Sequence, residues 1–403
     1  MKKQLNGQIS LWDSTPSVNI SDTGVHDKQR LKELQALPLD RKIMITQTRI
    51  IEWYTRWKGQ VYVSFSGGKD STVLLHIARQ CFQDIEAVFI NTGLEYPELQ
   101  TFAKSFENVT VVRPEMSFVD VIKHYGYPVL SKEISECLYE GRLALVRDEG
   151  AYTYRLKRLR GEIADENGKQ SMFNCKKYEP LLYVDFYIGN RCCRVMKKSP
   201  GKRLAKNLGK KPILATMAVE SKLRRQAWLT HGCNGFDMEF PTSQPMSFWT
   251  EQDVLEYIHR YNLPIAPVYG EVVPNGNGCE LCTTGCNRTG CIFCAYGAHL
   301  NDDDRFIRLR ETHPKQYDYC INGGGYAWFG FRKVNIRWKR IDFVNSDGSK
   351  MTEEEIEAFV NEHKDDPSFT FEKVWQPNKQ GLGMGHVFDE INKIYGENFI
   401  RYK

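Results

Sequence analysis

The chain predicts an α/β fold, a parallel sheet with helices on both faces, extended by helical and cysteine-rich additions. Three observations predict it. Short apolar runs alternate with helix-like runs between residues 61 and 125. The first of these junctions is the glycine-rich segment Ser66-Gly67-Gly68-Lys69-Asp70-Ser71. Cysteines gather in the later part of the chain, at 192–193 and again from 279 to 294. Parallel strands need long crossovers, usually helical, and strand-helix alternation supplies them.

Residues 1–25 are polar and uneven and read as a flexible arm. From 26 to 58 the apolar spacing of Leu31, Leu34, Leu37, Ile43, Ile50, Trp53 and Trp57 predicts helices broken near Pro38. The α/β domain is expected over 59–270. Its elements are a strand at Val61–Phe65, a helix at Ser71–Cys81, a strand at Glu86–Asn91, a helix at Pro97–Phe106, a strand at Val109–Arg113 and a helix at Phe118–Tyr125. Residues 141–180 are rich in charge and poor in apolar periodicity, which reads as an insertion or lid. The sheet resumes at Ile213–Ala218, and Thr250 starts a helix with Asp253 as its capping-box partner, anchored by Trp249. A cysteine-rich segment over 271–340 precedes a helical extension over 341–403, with a Glu-rich helix, a glycine loop and a final amphipathic helix.

The composition is globular, 41% hydrophobic and 26% charged. No stretch approaches the eighteen or so apolar residues of a membrane span, and Met-Lys-Lys-Gln-Leu-Asn-Gly has no signal-peptide core, so a cytoplasmic protein without membrane contact is expected. In a reducing compartment clustered cysteines favour metal or sulfur chemistry over disulfides. The net charge of +5 says little, but its distribution says more. Residues 191–211 hold nine basic side chains and no acidic one, and 332–340 hold Arg332, Lys333, Arg337, Lys339 and Arg340. Both segments suit an anionic partner, a nucleotide or a nucleic acid.

A strand that ends in two glycines and restarts as a helix brings backbone N–H groups, Lys69 and the hydroxyls of Ser66 and Ser71 to one helix N-terminus, which is an anion site. A Walker loop would need Ser or Thr after the lysine, and Asp70 stands there. The segment instead resembles the pyrophosphate loop of the PP-loop ATP pyrophosphatases and adenylyl-sulfate or phosphoadenylyl-sulfate (PAPS) reductases. That resemblance implies the PP-loop α/β fold and an adenine nucleotide, ATP or PAPS with Mg2+, held by Ser64, Ser66, Gly67, Gly68, Lys69, Asp70 and Ser71. Lys69 and Asp70 would take part in catalysis. Asn91-Thr92-Gly93-Leu94-Glu95 resembles the family's second nucleotide segment, which adds Thr92, Gly93 and Glu95; the family commonly has Asp where Asn91 stands. Val219-Glu220-Ser221-Lys222-Leu223-Arg224-Arg225 resembles the substrate-facing Glu-Ser-x-x-Arg of the reductases and adds Glu220, Ser221, Arg224 and Arg225.

Cys192-Cys193 followed by Cys291-x-x-Cys294 resembles the four [4Fe-4S] ligands of adenylyl-sulfate reductases, with Arg191, Arg194 and Lys197 to offset charge. A competing reading takes Cys279, Cys282, Cys291 and Cys294 as a closed Zn2+ site. Under the cluster reading Cys279, Cys282 and Cys286 are spare and able to carry sulfur. A sulfate-reducing member needs a nucleophilic cysteine in a short C-terminal tail. The last cysteine here is Cys320, and the chain closes on Phe399-Ile400-Arg401-Tyr402-Lys403. The segment after Cys294 resembles reductase-like proteins of bacteria and phages, some associated with DNA sulfur modification. Gln8-Ile9-Ser10-Leu11-Trp12 looks like a sliding-clamp-binding peptide.

The leading expectation is an ATP-pyrophosphatase-type enzyme that adenylates an acceptor, a nucleic acid being one choice, for sulfur transfer with a sulfur donor protein. One alternative is an adenylyl- or phosphoadenylyl-sulfate reductase that uses Cys320 or Cys286 and releases sulfite. The other is a non-catalytic nucleotide sensor that binds DNA.

Overall fold

The computed structural model describes residues 26–146, 154–276, 278, 280–300, 303–335 and 337–403. The clamp-like peptide at 8–12 and Cys279 lie outside the described residues. The chain divides into two compact units that interleave in sequence. The first takes Met1–Phe89, Glu98–Val111 and Leu204–Asn287, and the second takes Ile90–Pro97, Val112–Arg203 and Arg288–Lys403.

The first unit is built on the expected sheet. The strands lie in the order Val109–Val112, Ala87–Ile90, Val61–Ser64, Lys211–Ile213, Thr242–Ser243, Asn234–Gly235. The central strand Val61–Ser64 pairs in parallel on both sides, with Val63 opposite Ala87 and opposite Ile213, and the final pair at 234–243 is antiparallel. Val61, Tyr62, Val63, Ala87 and Phe89 are buried, as strands covered on both faces require. The helix Lys69–Cys81 buries Val73, Leu74, Leu75, Ile77 and Ala78, and Leu39–Arg56 buries Ile43, Ile50 and Trp53. Each such Val, Leu or Ile side chain contributes about 1.5–3 kcal/mol of transfer free energy. The break before Leu39–Arg56 falls at Pro38, which precedes its first residue as the sequence predicts.

The helix Glu251–Arg260 starts as expected: Thr250 accepts from the Asp253 amide while the Asp253 carboxylate accepts from the Thr250 amide. Asp253 also receives the Lys42 ammonium at 2.6 and 2.8 Å, so one carboxylate caps a helix and fastens it to Leu39–Arg56. Trp249 is fully buried with its indole N–H donating to Thr46 at 2.9 Å.

In the second unit the helices Phe118–Tyr125, Lys132–Val146, Tyr154–Arg160, Arg305–Thr312, Pro314–Ile321 and Met384–Tyr395 enclose a core that includes Val121, Leu138, Leu159, Phe186, Phe306 and Phe388. The segment read as an insertion or lid is packed at both ends of its described part. Leu156, Leu159, Leu181 and Leu182 are buried, and Arg155 and Arg158 reach Glu136 at 3.1 Å and Glu133 at 2.6 Å. Arg155 and Arg158 are spent in ion pairs with the helix Lys132–Val146, and such charges mask the packing from a hydrophobic period. A three-stranded antiparallel sheet of Arg337–Arg340, Gly325–Val334 and Phe369–Gln376 was not foreseen.

Candidate functional site

The loop at 66–71 closes on itself through its hydroxyls. Ser71 Oγ accepts from the Ser66 amide at 3.1 Å and lies 3.0 Å from Ser66 Oγ, while Ser66 Oγ accepts from the Gly68 amide at 3.3 Å. Ser71 and Thr72 hydroxyls both donate to the Gly68 carbonyl, at 2.9 and 3.0 Å, which tightens the first helical turn. Gly67 has φ +73°, and a Cβ there would stand 2.9 Å from the Leu99 carbonyl oxygen, so only glycine fits the turn. Lys69 and Ser71 are buried and Asp70 is half-buried in the first turn, where a carboxylate complements the helix N-terminus. Ser64 is the half-buried last residue of the strand that feeds the loop.

Three residues the sequence reading did not assign meet Lys69. Its ammonium lies 2.7 Å from Glu251 Oε1 and donates to the Asn287 carbonyl at 2.6 Å, and its amide donates to the Tyr269 hydroxyl at 3.4 Å. They come from the start of the helix Glu251–Arg260, the turn Pro267–Tyr269 and the loop after the strand Leu281–Thr283. No local sequence signal marks them, because their pairing with Lys69 spans about two hundred residues. The lysine of the loop is thus held by an internal carboxylate at a helix N-terminus.

Also in the first unit, Ser221 is the N-cap of the helix Lys222–His231 and accepts from the Arg224 amide at 3.2 Å. Glu220 accepts from the Met217 amide at 2.9 Å and pairs with Arg224, while Arg225 is exposed. Cys286 is buried, its amide donating to the Val268 carbonyl and its carbonyl accepting from Thr283.

Thr92, Gly93 and Glu95 belong to the second unit together with Cys192, Cys193, Cys291 and Cys294. Glu95 is buried and accepts from the Thr92 amide at 3.1 Å and the Thr92 hydroxyl at 2.7 Å, with Lys197 Nζ 3.8 Å away. The Leu94 carbonyl accepts from the Ile292 amide at 2.8 Å, tying this turn to the C-x-x-C loop. Gly93 has φ +74°, the conformation glycine alone adopts freely.

The four cysteines are brought within electrostatic range of one another. Cys192 and Cys193 share a thiol-thiol hydrogen bond that raises the first and lowers the second, with Lys132 and Lys197 favouring the Cys193 thiolate. Burial pushes the Cys291 thiol up to about 11 against the pull of Lys197, and raises Cys294. Burial acts to lower Lys197, yet Cys291 and Glu95 hold it above its ordinary value. Arg305 fixes the loop, donating to the Cys294 and Tyr296 carbonyls at 2.9 and 3.0 Å, and the Tyr296 hydroxyl lies 3.8 Å from Cys192 Sγ. Lys132, Tyr296 and Arg305 escaped the sequence reading.

Among the described residues no group of three or more His, Cys, Asp or Glu side chains is arranged to hold a metal ion. A cluster of several irons spreads its four thiolates over its corners, whereas a single zinc needs all four sulfurs at about 2.3 Å. Cys192, Cys193, Cys291 and Cys294 lie in mutual electrostatic range, with Lys132, Lys197 and Arg305 around them.

Cys320 corrects the expectation of a nucleophile there. It is fully buried in the helix Pro314–Ile321 with Sγ 3.5 Å from Met384 Sδ, and burial drives its thiol far above the ordinary range. Reactive cysteines sit in exposed, electropositive surroundings, and this one is a core residue. Among the described residues no helix is long and apolar enough to cross a membrane.

Comparison with known proteins agrees with the loop and its sheet. An uncharacterized protein of Methanocaldococcus jannaschii is 27% identical over 342 residues, 83% of this chain and 65% of that one, so the chain spans just under two thirds of that relative. The adenosine 5'-phosphosulfate reductase of Bacillus cereus is 25% identical over 240 residues, 58% of this chain and 78% of the enzyme. Among solved structures, phosphoadenylyl-sulfate (PAPS) reductase from Candida auris, a phosphate complex, matches 60% of this chain and 90% of its own at 13% identity and TM-score 0.31. The model of the phosphoadenosine phosphosulfate reductase domain matches residues 60–132 and 145–296, more than half of the chain, from the strand before the loop to the strand after the last C-x-x-C. The protein therefore belongs to the phosphoadenosine phosphosulfate reductase domain family.

Proposed function

We propose that the protein is an ATP-pyrophosphatase-type enzyme that activates an acceptor oxygen for replacement by sulfur. The observation that carries the reading is the Lys69 ammonium, buried at a helix N-terminus and already neutralised by an anion, Glu251 at 2.7 Å. A site that holds a carboxylate against an ammonium beside a helix N-terminus has the charge to hold phosphate oxygens. ATP with Mg2+ would lie along Ser64 and Ser66–Ser71, with Glu220, Ser221, Arg224 and Arg225 as further candidate contacts. The acceptor oxygen attacks the α-phosphorus, the bond to pyrophosphate breaks, and Lys69 and the loop amides stabilise the departing charge. A sulfur nucleophile then displaces AMP from the acceptor.

Cys192, Cys193, Cys291 and Cys294 would hold a [4Fe-4S] cluster, which when bound supplies a docking point for sulfur. Lys132, Lys197 and Arg305 offset its negative charge and orient the C-x-x-C loop. Zn2+ on Cys279, Cys282, Cys291 and Cys294 is the alternative occupant, and a sulfur donor protein is the expected partner.

A second reading, reduction of adenylyl or phosphoadenylyl sulfate to sulfite, is favoured by the likeness to a Bacillus cereus enzyme of that name. It needs an accessible cysteine nucleophile, and neither Cys320 nor Cys286 is exposed. The deciding experiment supplies anaerobically purified protein with ATP and acceptor, or with adenylyl sulfate and a thiol reductant. Pyrophosphate release that disappears in Lys69→Ala supports the first reading; sulfite release without ATP turnover replaces it with the second. Nucleotide binding without either product leaves a sensor.

A further inference from the structure

We propose that the antiparallel hairpin of Gly325–Val334 and Arg337–Arg340 is a DNA-binding element whose tip enters the major groove of a B-form duplex. The stretch from Asn322 to Ile341 contains no acidic residue, and its charges concentrate at the tip. The register sets Arg332 directly opposite Lys339 and Val334 opposite Arg337. Side chains alternate along a strand, so Arg332, Lys339 and Arg337 share one face of the ribbon. Like charges directly opposite one another destabilise a sheet. Arg332, Lys333, Arg337 and Lys339 are exposed, and none forms an ion pair among the described residues. The repulsion is relieved when an anion arrives on that face.

The root of the hairpin is fixed, which separates it from a loose basic loop. Phe329 and Phe331 are 2% exposed and pack with Tyr187 and Val374. Arg340 is half-buried, its guanidinium 4.0 Å over the Phe329 ring and donating to the His124 carbonyl at 2.9 Å. The third strand ends at Phe369, opposite Arg332, so the tip beyond is a two-stranded ribbon. On the opposite face Lys333 faces Trp338 across the ladder, its ammonium 5.7 Å from the indole.

Four of the nine charges of the other basic segment are already engaged. Lys197 serves Glu95 and Cys291, Arg203 pairs with Glu115, Lys210 reaches Glu86 at 2.6 Å, and Lys211 lies over Trp57 at 5.1 Å. In the hairpin unspent positive charge meets a rigid support. A two-stranded ribbon fits the B-DNA major groove, about 12 Å wide, whereas the deep, narrow major groove of A-form RNA does not admit side chains. Arg332, Arg337 and Lys339 would meet backbone phosphates, which gives register and affinity without reading sequence. The assignment names the macromolecule to which the acceptor proposed above belongs, and rests on that reading only for the chemistry; the binding step stands apart from it.

Fluorescence anisotropy of a labelled mixed-sequence DNA duplex, titrated with the full chain over a salt series, tests it. Wild type should bind with a salt slope that falls by about one unit for each of Arg332→Ala, Arg337→Ala and Lys339→Ala. The triple variant should bind at least about tenfold more weakly at low salt. Arg332→Lys should restore wild-type affinity, and the pair Lys202→Ala with Lys206→Ala should change it little. Lys69→Ala should bind DNA as wild type does, so failure of the nucleotide reading remains separable. Absence of duplex binding by wild type, equal binding by the triple variant, or tighter binding of single strands or duplex RNA would overturn the assignment.

Discussion

The ammonium of Lys69 and the carboxylate of Glu251 are 2.7 Å apart, a pair formed across 182 residues of chain at the mouth of the phosphate-type loop. Glu251 is partly exposed while Lys69 is buried, so the carboxylate is the partner that solvent can release. An arriving phosphate competes with it. Glu251→Gln should therefore tighten pyrophosphate or ATP binding, by up to about fivefold if the half-exposed pair is worth up to about 1 kcal/mol. Lys69→Ala should abolish binding in the same calorimetric titration. Weaker binding in Glu251→Gln would show that the carboxylate positions the lysine instead.

Gly67→Ala should disable the loop without touching a charged group. Its positive φ costs an alanine about 1–2 kcal/mol, and the Leu99 carbonyl at 2.9 Å from the new Cβ adds a backbone clash. Loss of ATP binding with a lowered thermal midpoint is the expected pair of results.

The cysteines should divide into two classes. Cys291→Ala and Cys294→Ala should lower iron and acid-labile sulfide in anaerobically purified protein and bleach its visible absorbance. Cys320→Ser should keep both, and should keep turnover. Its new hydroxyl, buried among apolar neighbours, should cost about 1–3 kcal/mol in urea unfolding. Full iron content in Cys294→Ala would remove that residue from the ligand set.

Asp303 gives the expected acid sensitivity of the cysteine loop. Burial acts to raise its carboxyl, but hydrogen bonds and charge from Arg305 hold it below the ordinary value of 3.8. A carboxyl depressed on folding adds stability above its unfolded value and loses it as pH falls through the folded one. Wild type should thus exceed Asp303→Asn in urea midpoint at neutral pH, and the gap should close only in acid below 3.8. Because the pair is partly exposed, the gap should be about 1 kcal/mol or less. A gap that persists into strong acid would mean that the asparagine disturbs the loop sterically.

Lys42→Met should be among the most damaging single changes, since Asp253 would keep its helix cap but lose the ammonium at 2.6 Å. Breaking a buried ion pair from one side costs about 3–5 kcal/mol. Asp253→Asn combined with Lys42→Met should recover part of that loss in thermal unfolding.

Local chemistry determined what was legible in the sequence. Strand-glycine-helix order marked the loop at 66–71, Pro38 marked a helix boundary, and Thr250 with Asp253 marked a cap, because each signal is carried by neighbours a few residues apart. The resemblance of Cys192-Cys193 and Cys291-x-x-Cys294 to a known ligand set nominated four thiols. The antiparallel sheet at 325–376 stayed hidden because Arg332, Lys333, Arg337 and Lys339 interrupt its apolar alternation. The packing of 154–182 stayed hidden because its arginines find carboxylates on another helix. Only the tertiary structure decided that Cys320 is core, that Glu251 and Asn287 meet Lys69, and that Thr92–Glu95 join the cysteines in one compact unit while the loop lies in the other. Burial and long-range pairing depend on which distant segments arrive at one place, and no window of sequence contains both partners.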